Sequence, residues 1–296
     1  MKRAVTPAVR ARACAKINLT LRVLGIRADG YHELRTTFQS LALHDTLTFT
    51  RTQGPFAITS NDARCPTDAT NLVWKAAERL WRRAGRKGAP RDVQVHIAKR
   101  IPMEAGLGGG SSDAAAALRA LDVMWRLNAS AVELEDVARG LGADVSFFLE
   151  GGTVLGVERG DLLFRLEDAS PAWVVLARPD FGVSTKDAYT WWDDGHSSRQ
   201  PRVPRPSNSG GEWINDLQGP VAARHRVIAK LVRQLNQSGA RYSAMSGSGS
   251  AVFGLFDERR AATEAATAMS GRQVTTWTTR TTPRREYLRV TAPVLI

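Results

Sequence analysis

Seven residues, Gly106-Leu107-Gly108-Gly109-Gly110-Ser111-Ser112, are separated only by Asp113 from the alanine-rich run Ala114-Ala115-Ala116-Ala117-Leu118. Glycine lacks a Cβ, so its backbone turns through positive φ and lets a ligand approach the amides. The first N–H groups of a helix have no partner within it, and the helix dipole adds partial positive charge there. A loop of this composition opening a helix is therefore an anion site, most often for phosphate. It is neither of two common phosphate loops. A P-loop needs a lysine after its glycines, and none follows here; in a G-x-G-x-x-G fingerprint the third glycine would fall on Ser111. The bland alternative is a helix-capping turn, with Ser111 or Ser112 as the cap and Asp113 in the first turn.

Other residues could act on a phosphate held there. Lys16 and Asn18 share one face of a strand, and Asp144 precedes the apolar run Val145-Ser146-Phe147-Phe148-Leu149. Alone, Lys16 reads as a solvated strand charge and Asp144 as an N-cap. Together they suit phosphoryl transfer from ATP to an alcohol. A carboxylate accepts the hydroxyl proton, while an ammonium keeps it ionised and attracts phosphate oxygens. A second small-residue loop, Ser246-Gly247-Ser248-Gly249-Ser250, offers more amides and hydroxyls. Tyr31 and His32 follow the turn Asp29-Gly30, and with Tyr189 they could stack on a base and read its edge.

Periodicity supplies the elements that must position these groups. Ala13, Ala15, Ile17, Leu19, Leu21 and Val23 alternate with Lys16, Asn18, Thr20 and Arg22, which predicts a strand over 11–24, followed by more strand to about residue 49. Helix is expected over 71–83, strand over 93–97, a long helix after the glycine loop, and helix over 133–141 with Gly142 as its stop. The second half reads as strand 173–177, helix 185–192, helix 221–237, strand 251–256, helix 258–269 and strand 273–277. The Pro/Ser/Gly-rich stretch 194–211 reads as an irregular insertion. The mixture favours an α+β fold in two domains, 1–168 and 169–296.

Bulk properties narrow the class. The 296 residues carry a net charge of +12, which favours polyanionic partners such as nucleic acid or a highly charged small substrate. An RNA-binding protein would share that charge but would need neither the Lys16/Asp144 pair nor a phosphate loop at a helix start. Cys14 and Cys65 are too few for a disulfide framework, and a reducing, cytoplasmic location is the simpler expectation. No run is long enough to cross a membrane, so no membrane partner is expected, and the chain reads as a monomer or homodimer.

The pattern P-x-x-A-G-L-G-G-G-S-S-x-A-A from Pro102 resembles the second motif of the GHMP small-molecule kinases. Further stretches fit the same superfamily in order: A-K-I-N-L-T-L-R-V-L-G-I-R-A-D-G-Y-H-E-L-R-T at 15–36, L-G-A-D-V-S-F-F at 141–148, V-S-T-K-D-A-Y at 183–189, N-D-L at 215–217 and M-S-G-S-G-S-A-V-F-G at 245–254. D-G-Y-H discriminates most, pointing to the branch whose acceptor carries a cytidine diphosphate moiety. The resemblance implies an N-terminal nucleotide-binding α+β domain with a left-handed β-α-β crossover and a ferredoxin-like C-terminal domain. It implies transfer of the ATP γ-phosphoryl group, with Mg2+, to the 2-hydroxyl of 4-diphosphocytidyl-2-C-methyl-D-erythritol in the non-mevalonate isoprenoid route. By the same match Asp144 would be the base and Lys16 its stabilising partner, with Asn18 in support. His32 and Tyr189 would sandwich the cytosine and Tyr31 would line the site. Residues 106–112 would wrap the ATP phosphates, and Asn71 and Lys99 would lie toward the adenosine. Metal ligands do not map onto particular residues. Gln218 stands where an acidic residue is expected after N-D-L.

Overall fold

The computed structural model describes residues 8–196 and 214–296. The first half builds β1 (Ala8–Ile26), β2 (His32–Pro55), β3 (Ala57–Ser60), α1 (Leu72–Arg83), β4 (Arg91–Ala98), α2 (Gly109–Trp125), α3 (Ala131–Leu141), α4 (Phe147–Glu150), β5 (Thr153–Glu158) and β6 (Leu162–Arg165). The second half builds β7 (Trp173–Pro179), α5 (Thr185–His196), α6 (Gln218–Arg224), α7 (Arg226–Gln237), β8 (Tyr242–Met245), β9 (Val252–Phe256), α8 (Arg259–Met269), β10 (Val274–Arg280), α9 (Arg284–Thr291) and β11 (Val294–Leu295).

The first sheet runs β11-β1-β2-β4-β3, with β5 on β2 and β6 on β5. Its parallel pair, β3 and β4, is joined through α1. Helix α1 shows why such a sequence folds as it does. Asn71 caps it by accepting from Val73 N, and Val73, Ala76, Ala77, Leu80 and Trp81 form the buried stripe that a period of 3.6 demands. The core of this unit lies between the sheet and α1 and α2. The second sheet has the order β10-β7-β9-β8, wholly antiparallel. With its helices it is the split β-α-β arrangement of ferredoxin-like domains.

The sheets also face one another. Ala15, Ile17, Leu19 and Leu41 of the first pack on Val174, Leu176 and Phe253 of the second. That shared core explains why β1 is buried on both faces at its middle, so that Lys16 and Asn18 lie inside rather than on a wet face. Residues 284–296 return to the first unit, where β11 pairs with β1.

Some sequence expectations need correction. The helix expected over 221–237 breaks at His225, which leaves helical geometry (φ −125°, ψ 80°) and stacks its ring on Phe181 at 4.4 Å. The four-residue strands β3 and β6 and the two-residue β11 are too short to show a period. The insertion expected over 194–211 lies outside the described residues from 197 onward, while residues 194–196 complete α5.

Candidate active site

The register of β1 on β2 slips between Cys14 and Lys16 and again between Asn18 and Thr20. Bulges of this kind re-aim side chains beside functional sites. Lys16 Nζ donates to Asn18 Oδ1 at 2.6 Å and lies 3.3 Å from Asp144 Oδ2. Asn18 is oriented by its other end. Its Nδ2 donates to Thr36 Oγ1 (2.7 Å), whose own proton goes to the Thr20 carbonyl (2.7 Å). Thr36 therefore accepts from Asn18, and the amide oxygen is left for the lysine. A buried ammonium is tolerable only when paired; here Asp144 is the pair, its side chain 32% exposed to the cleft. Asp144 is no helix cap, since α4 begins after Ser146.

The glycine loop is stitched to β1 beside this pair. Lys16 N donates to the Leu107 carbonyl (3.0 Å), and Ser112 Oγ to the Cys14 carbonyl (2.6 Å). The sequence reading placed a serine at the helix cap. The structure instead has Gly108 there, in the left-handed region (φ 70°), with Gly109 as the first helical residue and no side-chain cap. The N–H groups of Gly109, Gly110 and Ser111 consequently precede the first intrahelical bond, Ser112 N to the Gly108 carbonyl, and no hydroxyl competes for them as a cap. A Cβ on Gly108 would come within 2.6 Å of the Phe148 ring and 3.1 Å of Lys16 Cγ.

The second small-residue loop meets the first. Ser246 Oγ donates to the Gly106 carbonyl (2.9 Å) and accepts from Asn18 N (3.3 Å). A Cβ on Gly247 would lie 3.2 Å from both Lys16 Nζ and Asn18 Oδ1. The N-D-L segment ties this loop down. Asn215 Nδ2 donates to the carbonyls of Met245 (2.7 Å) and Gly247 (2.8 Å), while Asp216 Oδ2 accepts from Val23 N (2.9 Å). Gln218 Oε1 accepts from Met245 N (2.8 Å), a bond an acidic side chain could equally make. Gln218 thus has a structural task in tying down the loop.

Both predicted adenosine-side residues line the same cleft, but their polar groups are engaged within the protein. Asn71 holds Val73 N (2.8 Å) and donates to the Pro66 carbonyl (2.5 Å). Lys99 Nζ is clasped by Asp45 (2.5 Å) and Asp113 (2.8 Å), all deeply buried. Burial works against the Lys99 charge, but the Asp113 and Asp45 carboxylates outweigh it and push its pKa up. Burial pushes the Asp113 carboxyl up to about 7 against the pull of Lys99. Asp113 Oδ1 is buried without a hydrogen-bond partner.

At the other end, His32 and Tyr189 stack directly on each other, ring centroids 4.5 Å apart, with Trp192 edge-on to the imidazole. A base between two rings needs roughly 7–8 Å, two carbon contact distances, so the clamp as it stands is shut. His32 Nε2 lies 2.8 Å from Asp193 Oδ1. Burial first, and the negative charge of Asp144 second, hold the Tyr189 phenol above its ordinary pKa. Tyr31 is 57% exposed at the cleft.

One cleft of about 1210 Å³ joins the Lys16–Asp144 pair, the glycine loop, Asn71, Lys99, Tyr31, His32 and Tyr189. That exceeds the space one drug-sized ligand usually takes. Sequence reasoning missed Thr36, Asp45, Asp113 and Asp193 as partners of these groups. Asp113 was within reach, being embedded in the glycine-loop motif; Asp45 and Asp193 carry no local signal, because their partners are distant in the chain.

The pattern of the GHMP kinases N terminal domain matches residues 71–152, and that of the GHMP kinases C terminal matches residues 207–274. The 4-diphosphocytidyl-2-C-methyl-D-erythritol kinase of Pelotomaculum thermopropionicum is 40% identical over 268 residues, covering 87% of this chain and 92% of its own. The chain belongs to the GHMP kinases. The 4-diphosphocytidyl-2-C-methyl-D-erythritol kinase of Moorella thermoacetica is 37% identical, over 91% of this GHMP kinase and 97% of its own length. A crystal structure of 4-(cytidine 5'-diphospho)-2C-methyl-D-erythritol kinase superposes with a TM-score of 0.77 at 33% identity, covering 92% of this chain and 98% of that one. The homoserine kinase of Cytophaga hutchinsonii, at 18% identity and a TM-score of 0.67, covers 100% of this chain and 99% of its own and shares the GHMP kinase fold.

Proposed function

We infer that this GHMP kinase transfers the γ-phosphoryl group of ATP to the 2-hydroxyl of 4-diphosphocytidyl-2-C-methyl-D-erythritol, in the non-mevalonate isoprenoid pathway. The observation that carries the chemistry is the Lys16–Asp144 pair beside a glycine loop whose helix begins with uncapped amides. ATP phosphates sit on the N–H groups of Gly109, Gly110 and Ser111, with residues 106–112 around them. Asp144 accepts the acceptor's hydroxyl proton as its oxygen attacks the γ-phosphorus and the bond to the β-phosphate oxygen breaks, releasing ADP. Lys16 keeps Asp144 ionised and meets the transferring oxygens. Asn18 holds Lys16. Asn71 and Lys99 shape the adenosine end, Lys99 by fixing the strand end before the loop. His32 and Tyr189 separate to admit the cytosine, with Tyr31 beside it.

Mg2+ is commonly held by one or two carboxylates plus substrate phosphates rather than by a protein cage. The cleft fits that pattern. Among the described residues no group of three His, Cys, Asp or Glu forms a cage, while Asp144 faces the cleft. The ion would be carried mainly by the substrate phosphates, where it would supply charge neutralisation, and Asp144 stays free to act as the base. The division we propose is 1–168 and 169–296, with residues 284–296 folded back on the first unit. Cys14 and Cys65 are free, and no helix among the described residues is long and apolar enough to cross a membrane, which fits a cytoplasmic enzyme.

The test is ATP consumption across a panel of alcohols including 4-diphosphocytidyl-2-C-methyl-D-erythritol and homoserine. The cytidyl alcohol is the expected substrate, and preference for another member overturns the reading. Asp144→Asn is expected to lower kcat by at least about a hundredfold with ATP binding intact. Turnover like that of the parent removes Asp144 as the base.

A further inference from the structure

The tip of the β5–β6 hairpin reaches the acceptor end of the cleft. Glu158 (φ 58°) and Gly160 (φ 89°) both turn through positive φ, and Arg159 between them lines the cleft. The Arg159 guanidinium is paired with the Asp161 carboxylate, which is largely buried. The same guanidinium lies 5.2 Å from the centroid of the Tyr31 ring, a cation–π distance. A second tie joins the same two tips. Arg27 Nη1, at the turn that carries Tyr31, lies 3.4 Å from Glu158 Oε2 and 2.7 Å from Glu33 Oε2. Tyr31 therefore has a guanidinium against its ring although most of its side chain is exposed.

The acceptor end needs such a ring. His32 and Tyr189 take the two faces of the base once they part, which leaves its edge to the ring beside them. A freely rotating exposed tyrosine would lose rotamer freedom each time a base packed against it, and that loss weakens binding. A ring already held by a fixed cation avoids much of it.

We propose that Arg159 is a positioning residue of the acceptor site: pinned by Asp161, its guanidinium holds the Tyr31 ring at the cleft mouth as a wall against the edge of the pyrimidine. This rests on the acceptor reading above. Arg159 touches no reacting atom, so its effect belongs in acceptor binding and not in the chemical step.

A double-mutant cycle tests it. Arg159→Gln is expected to raise the KM for the cytidyl acceptor about five- to tenfold, with kcat and the KM for ATP changed by less than about twofold. In a Tyr31→Leu background the same substitution is expected to add less than about twofold, because the ring it holds is gone. Arg159→Lys keeps the charge but not the flat guanidinium, and is expected to recover only part of the loss. Equal effects in both backgrounds, full recovery by lysine, or no change in acceptor KM would each overturn the proposal. Calorimetric binding of cytidine diphosphate to the same four proteins separates the two readings. Coupled Arg159 and Tyr31 effects on binding without turnover of the cytidyl alcohol would sink the proposed reaction and leave Arg159 its role. Normal turnover with uncoupled effects would sink the role alone, and neither binding nor turnover would sink both.

Discussion

Two buried lysines in this molecule have different tasks, and their partners decide which. Lys16 has one carboxylate partner, Asp144, which opens onto the cleft, so its charge remains near an incoming phosphate. Lys99 is shared between two carboxylates, Asp45 and Asp113, and is committed to structure. Asp45 also accepts from the backbone of Arg100 (2.5 Å) and Ile101 (2.8 Å), so the cluster anchors the chain as it enters the glycine loop. The cluster has a pH signature. Unfolded, Asp113 titrates at about 4; folded, burial holds it at about 7. Between those values the folded chain keeps a proton that the unfolded chain has lost, so this group makes stability fall as pH rises through that window. Asp113→Asn removes the titration. Its urea midpoint is expected to vary less than the parent's between about pH 4 and 7, and an unchanged slope would count against the assignment. The types of Lys16 and Asp144 were legible in the sequence. Their adjacency was not, since 3.3 Å in space corresponds to more than a hundred residues of chain.

At the scale of elements, the glycine loop was readable as a phosphate site but not in its detail. Two serines at a helix start suggest a cap by local preference, yet Ser112 is drawn away to the Cys14 carbonyl and Gly108 takes the cap. The competing partner lies on a strand that no local pattern connects to the loop. Helix α7 was legible from its apolar face of Ile228, Leu231 and Leu235, whereas its break from α6 was not, because the stacking of His225 on Phe181 is a tertiary contact. The loop's tolerance follows from its geometry. Gly106 has φ 71°, and a Cβ there would sit 2.1 Å from the Ser246 carbonyl oxygen. Alanine would cost about 1–2 kcal/mol for the left-handed backbone alone, and the clash would push the two small-residue loops apart. Gly106→Ala is expected to lower kcat/KM for ATP at least about tenfold and to lower Tm by several degrees. Steady-state kinetics with a thermal melt check both, and parental kinetics would mean that the loops do not need this contact.

Across the whole molecule the two sheets are joined by a seam of hydrogen bonds beside their shared apolar core. The Ser40 carbonyl accepts from Thr282 N (2.9 Å), Ser40 Oγ and the Gln39 amide donate to the Thr282 carbonyl (2.9 and 3.1 Å), and Leu43 N donates to Thr279 Oγ1 (2.9 Å). Mixed α+β content and two units could be read from element order. The return of α9 and β11 to the first sheet could not, because an eight-residue helix and a two-residue strand give little pattern to read. Their contacts are nevertheless close to the site. Tyr287 is buried and its Oη donates to the Phe148 carbonyl (2.7 Å), and Phe148 is the ring that lies against Gly108. A chain ending at residue 283 would uncover the β1 edge and the pocket of Tyr287. It is expected to be largely insoluble, or to melt with low cooperativity if recovered. A soluble fragment with the parent's Tm would show that α9 and β11 are dispensable.

This return also imposes an order of events during synthesis. Ribosomes release the glycine loop and Asp144 well before Tyr287, and nascent domains generally fold from the N-terminus as they emerge. Here the first unit must wait, with one strand edge open, until the whole second unit has been made. The kinase is therefore expected to become competent only after translation of the segment that closes its first-made sheet, and a ribosome stalled within the second unit would hold an unfinished active site.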